Sequence, residues 1–288
     1  MYFLKSIYKM DCYTYEHLKF DNPIFTTIQN AVILTMKNSS RHNRVKEEIN
    51  KNPVCRNVII QYNVGYKQCT KNYVDSSSKD LLHAVINALR KLNGNGPILI
   101  LEDDVCFTSN LRHHAVHVDD FIKYNAVWDI YSLGSCPLIA LPSLSRHVAV
   151  HYMGATHACI FSPNMITKML DGYFVSRVHE RMNKGFNLRI IPPTHDFVVS
   201  SMVRSYMYRI PLAVQSHEIT ENSKMWMSTL DYVIIKMFGA DKNGESLYRF
   251  LHATTYTGGV LPTAFIFVIF SVIIITYRTR KNTNICKL

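Results

Sequence analysis

The sequence predicts an α/β fold built on a mostly parallel sheet, followed by one apolar helix near the C-terminal end. Two observations predict the sheet. Short apolar runs of strand length alternate with helical segments from residue 30 to about residue 220, the order expected when helices cover the faces of a sheet. The segment PILILEDDV at 97–105 is almost wholly apolar before its acidic end, as is typical of a central strand buried on both faces.

The elements follow in order along the chain. Residues 1–29 show no clear period and are assigned to an N-terminal extension. The predicted strands are NAVILTM (30–36), NVIIQY (57–62), the acidic strand (97–105), WDIYSL (128–133), HACIFS (157–162) and RIPLAVQ (209–215). The predicted helices are 41–51, 79–92, 163–170 and 195–205. Ligands of such sheets bind beyond the carboxyl ends of the strands.

The third observation is the segment GGVLPTAFIFVIFSVIIITY at 258–277, which contains no charged residue. A helix of this length spans about 30 Å, the thickness of the hydrocarbon core of a bilayer. Residues 278–288 form a basic tail, and residues 221–257 are predicted to be amphipathic helices that lead to the membrane. We therefore expect a single-pass C-terminal anchor.

The sequence gives two opposing indications of the side of the membrane on which the large domain lies. The basic tail favours a cytosolic C-terminus, which would place the large domain on the opposite side. However, the N-terminal residues contain no apolar signal-peptide core, and a single late span normally leaves the preceding domain in the cytosol. The second consideration favours a cytosolic domain, and the first keeps the alternative open.

Charge and cysteine content exclude several classes of protein. The net charge is +11, but no basic run or paired Cys/His motif of a nucleic-acid-binding protein occurs, so nucleic acid is not an expected partner. The seven cysteines are odd in number and widely spaced, without a CxxC pair. This pattern argues against a disulfide scaffold and a zinc site, and most of the cysteines are expected to be buried thiols.

Three carboxylates end the apolar strand: Glu102, Asp103 and Asp104. Carboxylates this close repel one another and lose hydration, so they are costly without a cation or a hydrogen-bond network. Because side chains alternate along a strand, Glu102 and Asp104 are expected to share one face. Oxygen ligands favour a hard cation, Mg²⁺ or Mn²⁺, that keeps positions open for phosphate oxygens. An acidic turn that caps a helix is the alternative.

Several segments in order resemble glycosyltransferase family 25, which includes lipooligosaccharide and collagen galactosyltransferases. They are AVILTMKNSSRHNRV, DLLHAVINAL, ILILEDDV, WDIYSLG, GATHACIFSPNMITKML, HDFVV and AVQSHEI, which together cover roughly residues 30–217. The helix DLLHAVINAL departs from the family pattern, since Leu82 stands where a serine precedes the histidine. The resemblance implies a nucleotide-sugar-binding, Rossmann-like A-type glycosyltransferase fold over residues 30–220, a UDP-sugar donor, often UDP-galactose, and inversion at the anomeric carbon.

The resemblance and the chemistry together suggest a metal-binding set. Asp104 is the leading ligand of Mn²⁺ or Mg²⁺, and Glu102 is its partner. His217 is a candidate to complete the shell, with a surface histidine as the alternative. Asp103 is a candidate to contact the ribose or a metal-bound water.

The donor and the reaction need further residues. Arg41, and with less support Arg44, are candidates to bind the diphosphate, because guanidinium groups pair with phosphate oxygens; solvated helix charges are the alternative. His83 is a candidate donor-site residue or a packing histidine, and Asp129 a candidate to support the site. Asp196 is the candidate base that takes the proton of the acceptor hydroxyl, with a helix N-terminal carboxylate as the alternative.

Two kinds of function remain open at this stage. The first is a membrane-anchored, metal-dependent inverting glycosyltransferase that moves a hexose, with galactose favoured, to a glycan, glycoprotein or glycolipid. The second is a degenerate relative that kept the fold as a membrane-tethered scaffold or glycan-binding protein. A nucleotidyltransferase is a weaker third reading, since no phosphate-binding glycine motif is present.

Overall fold

The computed structural model describes residues 12–92, 96–141, 145–185 and 193–216, without the side chains of 136–139 and 155. Its strands are β1 Tyr13–Lys19, β2 Asn30–Met36, β3 Asn57–Asn63, β4 Ile98–Glu102, β5 Val105–Phe107, β6 Ile130–Ala140, β7 His147–Phe161, β8 Ser205–Tyr208 and β9 Ala213–Gln215. Its helices are α1 His42–Lys51, α2 Ser77–Leu92, α3 Leu111–Tyr124, α4 Pro163–Leu170, α5 Gly172–Lys184 and α6 His195–Ser200. The α/β class is confirmed.

Seven strands form one mixed sheet in the order β1-β3-β2-β4-β7-β6-β8, and β5 and β9 form a separate pair. As predicted, β2 pairs in parallel with β3 and β4. β6 pairs in parallel with β8, a strand that the sequence did not predict. The predicted helix 195–205 ends at Ser200, and the predicted strand 209–215 is limited to β9. The long strand β7 runs antiparallel to β4, β6 and β8, and β1 runs antiparallel to β3. These antiparallel pairings were not predicted, because an apolar run such as HACIFS does not reveal the direction of its strand.

The register fixes which residues meet at each edge of the sheet. Leu34 of β2 pairs with Glu102 of β4, and Met36 pairs with Asn63 of β3, so the carboxyl ends of these strands share one edge. We call this the acidic edge. Ile98 and Ile130 both pair with Phe161, which places the start of β6 at the opposite edge.

Asp129 immediately precedes β6 and therefore lies at the opposite edge from Glu102. Its carboxylate accepts hydrogen bonds from Asn164 Nδ2 and Lys168 Nζ, both at 2.7 Å, and from the backbone N–H of Arg204 at 2.9 Å. Asp129 thus joins the start of β6 to α4 and to the residue before β8. The prediction that it supports the acidic site is wrong.

Apolar cores cover both faces of the sheet. Ile98 and Ile100 of β4 pack in one core with Leu82 of α2, whereas Leu99 and Leu101 pack in the other with residues of α1 and α3. These four apolar side chains of β4 are all buried. The prediction of a central strand buried on both faces is confirmed.

The sheet begins earlier in the chain than the predicted boundary at residue 30. β1 pairs with β3 along its whole length, from Tyr13 opposite Asn63 to Lys19 opposite Asn57. Most of its side chains are exposed or half-buried because it is an edge strand. Its sequence therefore lacks the apolar run that marks an inner strand.

A disulfide joins Cys12, beside β1, to Cys69 in the loop after β3, with a Cα–Cα distance of 5.7 Å. The expectation of buried thiols holds for Cys55 and Cys159 and is wrong for Cys12 and Cys69. The two bonded cysteines are 57 residues apart and belong to no recognisable motif, so the pairing depends on the antiparallel placement of β1.

Several predicted segments lie outside the described residues: the juxtamembrane segment 221–257, the apolar segment 258–277, the basic tail 278–288 and His217. In the described ranges, no helix combines the length and apolar character that crossing a bilayer requires.

Candidate active site

The candidate site is built on the turn that follows β4 at the acidic edge. β4 ends at Glu102, and residues 103 and 104 turn the chain into β5. Asp103 and Asp104 are 4% and 3% exposed, so both carboxylates need partners inside the protein.

Asp103 faces the end of β2 and the loop between β2 and α1, and three side chains of this region hold its carboxylate. Oδ2 accepts hydrogen bonds from Thr35 Oγ1 at 2.6 Å and from Ser39 Oγ at 2.8 Å. Oδ1 lies 2.8 Å from an Arg41 guanidinium nitrogen. Asp103 therefore organises the β2–α1 loop, and its predicted contact with a ribose has not been tested.

The two predicted arginines reach the acidic turn from different directions. Arg41 bridges Asp103 and Asp104, with its second nitrogen 3.5 Å from Asp104 Oδ2. Arg44, on α1, donates to the backbone carbonyl of Asp103 at 2.8 Å and to Cys106 Sγ at 3.3 Å. Arg41 is thus the arginine placed between the carboxylates, whereas Arg44 holds the backbone of the turn.

Asp104 combines one satisfied and one unsatisfied carboxylate oxygen. Oδ2 accepts a hydrogen bond from Gln215 Nε2 at 2.7 Å, and the backbone N–H of Ser216 donates to the Asp104 carbonyl at 2.8 Å. Oδ1 is buried and has no hydrogen-bond partner among the described residues. A buried carboxylate oxygen without a donor is expensive, which makes it a natural ligand for a cation.

Glu102 lies on the face of the sheet that carries α2 and α6. It lines a small cavity of about 40 Å³ together with Thr156 of β7 and with His195 and Asp196 of α6. Burial raises the pKa of Glu102 well above its usual value, and the Asp104, Asp196 and Asp103 carboxylates raise it further. A nearby cation would reverse that effect by favouring the ionised form.

The contacts of Asp196 favour its ionised form. Its Oδ1 accepts a hydrogen bond from Thr156 Oγ1 at 2.7 Å and lies 2.6 Å from His195 Nε2. Burial opposes ionisation, but His195 and Thr156 outweigh it, so the pKa of Asp196 lies below its usual value. Glu102 and Asp196 thus line one cavity, and their surroundings raise the pKa of Glu102 and lower the pKa of Asp196.

His83 lies apart from the carboxylates. Its Nδ1 is 2.7 Å from the hydroxyl of Tyr13 on β1, and the two rings stack with their centroids 5.9 Å apart. Burial and the charge of Lys71 lower its pKa. These contacts match the packing role that was the alternative for His83.

Some residues of the site were not singled out from the sequence: Thr35, Ser39, Ser78, Thr156, His195 and Gln215. A signal existed for most of them, since His195 directly precedes Asp196, and Thr35, Ser39, Thr156 and Gln215 belong to segments of the resemblance. Ser78 lies outside those segments, and its role depends on the packing of α2 against α6.

The donor set fits a cation that the protein holds with few ligands. Within the ranges that the structure describes, no three His, Cys, Asp or Glu side chains converge as a metal cage. Mg²⁺ and related cations usually bind through one or two carboxylates plus substrate phosphates and water. Asp104, with its unsatisfied Oδ1, and Glu102, whose ionised form a cation would favour, fit that mode.

Comparison with known proteins gives a limited result. No protein family and no curated protein matches the chain, so the resemblance to glycosyltransferase family 25 stays a prediction.

Similar solved structures include a protein from STIV that is 14% identical to this chain. The match covers 67% of this chain and 87% of that chain, with a TM-score of 0.37. They also include a glycosyltransferase involved in the glycosylation of the major capsid of PBCV-1, at 10% identity, 56% and 72% coverage and a TM-score of 0.33. UDP-glucose pyrophosphorylase complexed with UDP-glucose matches at 10% identity, 63% and 90% coverage and a TM-score of 0.34. Similarities this weak do not assign a function.

Proposed function

We propose that the chain is a divalent-metal-dependent inverting glycosyltransferase. It moves a hexose, with galactose as the first candidate, from a UDP-sugar to a hydroxyl of a glycan, glycoprotein or glycolipid. The observation that supports this proposal is the Asp104 carboxylate at the acidic edge, buried with one oxygen unsatisfied and next to Glu102 and Arg41.

In this proposal Asp104 and Glu102 hold Mn²⁺ or Mg²⁺, which neutralises charge on the departing nucleotide diphosphate. Arg41 is shared between Asp103 and Asp104 and can exchange one of these carboxylates for a diphosphate oxygen, because a guanidinium group binds both through the same fork of donors. Asp196 takes the proton of the acceptor hydroxyl.

The membrane anchor is part of the same proposal and rests on the uncharged segment 258–277. Of the two placements that the sequence leaves open, the Cys12–Cys69 disulfide supports a domain outside the cytosol, since disulfides persist in oxidising compartments. Mass mapping of protein isolated with its thiols blocked tests this placement. A disulfide-linked pair of peptides containing Cys12 and Cys69 would support this placement. Alkylation of both cysteines would instead support a cytosolic domain.

The test of the reaction is hydrolysis and transfer from a panel of UDP-sugars by the full chain, with Mn²⁺ and with a chelator. We expect turnover that requires the cation and falls about a hundredfold or more in Asp104→Asn, the loss of a few kcal/mol of transition-state stabilisation. Asp120→Asn, a change at an exposed carboxylate on α3, is the matched control. Equal slow rates in wild type, Asp104→Asn and Asp120→Asn would instead identify a scaffold that kept the fold without the reaction.

A further inference from the structure

The two oxygens of the Asp196 carboxylate have different surroundings. Two side chains contact Oδ1: Thr156 Oγ1 at 2.7 Å and His195 Nε2 at 2.6 Å. A backbone hydrogen bond from Thr156 also supports the carboxylate, and Oδ2 is not among the fully buried, unsatisfied atoms of the described residues. The Thr156 and His195 side chains thus hold one oxygen and leave the other for a group that enters from outside.

The imidazole of His195 is itself held from a second element. Ser78 of α2 accepts a hydrogen bond from the backbone N–H of His195 at 2.9 Å, and its Oγ lies 3.3 Å from His195 Nδ1. With Nε2 directed at Asp196, Nδ1 on the other side of the ring faces the Ser78 hydroxyl. Ser78, His195 and Asp196 therefore form one chain of contacts that links α2 to α6.

The position of α6 is fixed by packing as well. A Cβ atom on Gly154 of β7 would lie 2.6 Å from Cζ of Phe197, so the ring of Phe197 rests directly on the β7 backbone. Phe197 follows Asp196 in the sequence, and Thr156 lies on the same strand as Gly154. The Asp196 carboxylate is thus bound on one side by β7 and on the other by the histidine that α2 orients.

We propose that His195 and Ser78 are positioning residues that lock the Asp196 carboxylate with Oδ2 directed at the acceptor hydroxyl. This inference rests on the proposed function. In the step that follows, the acceptor O–H proton passes to Oδ2 and the acceptor oxygen bonds to the anomeric carbon. The bond from that carbon to the diphosphate oxygen breaks, and its electron pair leaves with UDP.

Steady-state kinetics of the full chain tests this inference. His195→Leu removes the donor to Oδ1, and we expect kcat to fall about 10- to 100-fold, the usual cost of losing an orienting partner, with the KM for the UDP-sugar unchanged. His195→Gln places an amide N–H close to the position of Nε2, and we expect it to recover most of kcat. Ser78→Ala, which frees the ring without removing it, should lower kcat by a smaller factor. His17→Leu, at an exposed histidine on β1, is the matched control.

Several outcomes would overturn the inference. An unchanged kcat in His195→Leu, or a Gln variant as slow as the Leu variant, shows that the contact serves folding alone. If His195→Leu does not fold, the pair Ser78→Ala and Thr156→Val decides, since an unchanged kcat in both removes the positioning role. The proposed function fails separately, when Asp104→Asn and the wild type turn over at the same rate.

Discussion

The backbone carbonyl oxygen of Ala213 lies 1.7 Å from the position that a Cβ atom on Gly134 would occupy. Gly134 of β6 therefore lets the backbone of β9 pack directly against the backbone of β6. We expect Gly134→Ala to lower the free energy of unfolding by about 3 kcal/mol, because backbone atoms would have to move apart. Denaturant titration measures the change. Gly172→Ala is the control, since no atom lies within 4 Å of its Cβ position; an equal loss in both would contradict this reading.

Asp103 and Asp104 are neighbours with different predicted roles. Asp103→Asn breaks a buried ion pair with Arg41 and weakens the hydrogen bonds to Thr35 and Ser39. We expect the free energy of unfolding to fall by about 3 kcal/mol.

The variant Asp104→Asn removes a charge that repels Glu102. The free energy of unfolding of this variant should therefore fall by no more than about 1 kcal/mol, while cation binding is lost. Parallel denaturation and Mn²⁺ titration calorimetry check both. The opposite pattern would exchange the two roles.

The disulfide gives a prediction about stability. Cys12 and Cys69 close a loop across 57 residues, so the double variant Cys12→Ser/Cys69→Ser should lose on the order of 4 kcal/mol of unfolding free energy. Reductant should have the same effect on the wild type and none on the double variant. Chemical denaturation with and without reductant makes the comparison. A wild type that is indifferent to reductant would show that the two thiols are not joined.

His147 predicts an acid-sensitive fold. Burial first, and then the charges of His117 and Arg146, lower its pKa from the usual 6.5 to about 4, against the opposing charge of Asp120. The folded protein therefore keeps His147 neutral where the unfolded chain would protonate it. Its contribution to stability is complete above pH about 6.5 and is lost as the pH falls toward about 4.

The variant His147→Gln removes that titration. The Tyr131 hydroxyl, 2.8 Å from Nδ1, can still donate to the amide oxygen. We expect its unfolding free energy to change less between pH 7.5 and pH 5 than that of the wild type, as measured by urea titration. The control variant His17→Gln should keep the slope of the wild type. Equal slopes in all three proteins would place the acid sensitivity elsewhere.

The parts of the fold that the sequence predicts are those with strong apolar patterns. β2, β3 and β4 are continuous apolar runs, and the helix from Pro163 to Leu170 begins with a serine cap and a proline, so each was located within a few residues. The sequence did not predict β1, α3, α5 or β8. β1 is the exposed outermost strand of the sheet, so it lacks a continuous apolar run. α3 carries three histidines among its apolar positions, which weakens the helical period of its apolar residues.

The candidate site could be predicted in its composition and only in part in its geometry. Glu102, Asp104 and Arg41 come together because β2 and β4 are parallel neighbours, which the alternation of elements implies. The expectation that Glu102 and Asp104 share a face assumed that the strand continues through residue 104, whereas the chain turns after Glu102. The hydrogen bond between Ser78 and His195 joins residues 117 positions apart, and no local sequence pattern encodes such a contact.

The last residue that the structure describes, Ser216, donates its backbone N–H to the carbonyl of Asp104. The polypeptide that continues from Ser216 is therefore attached beside the carboxylate that we propose as the cation ligand, rather than at the rim where Asp129 lies. A force on that continuation would be transmitted to the turn of residues 103 and 104 and, through β9, to β5. The chain after Ser216 and the proposed cation site are therefore attached to the same part of the domain.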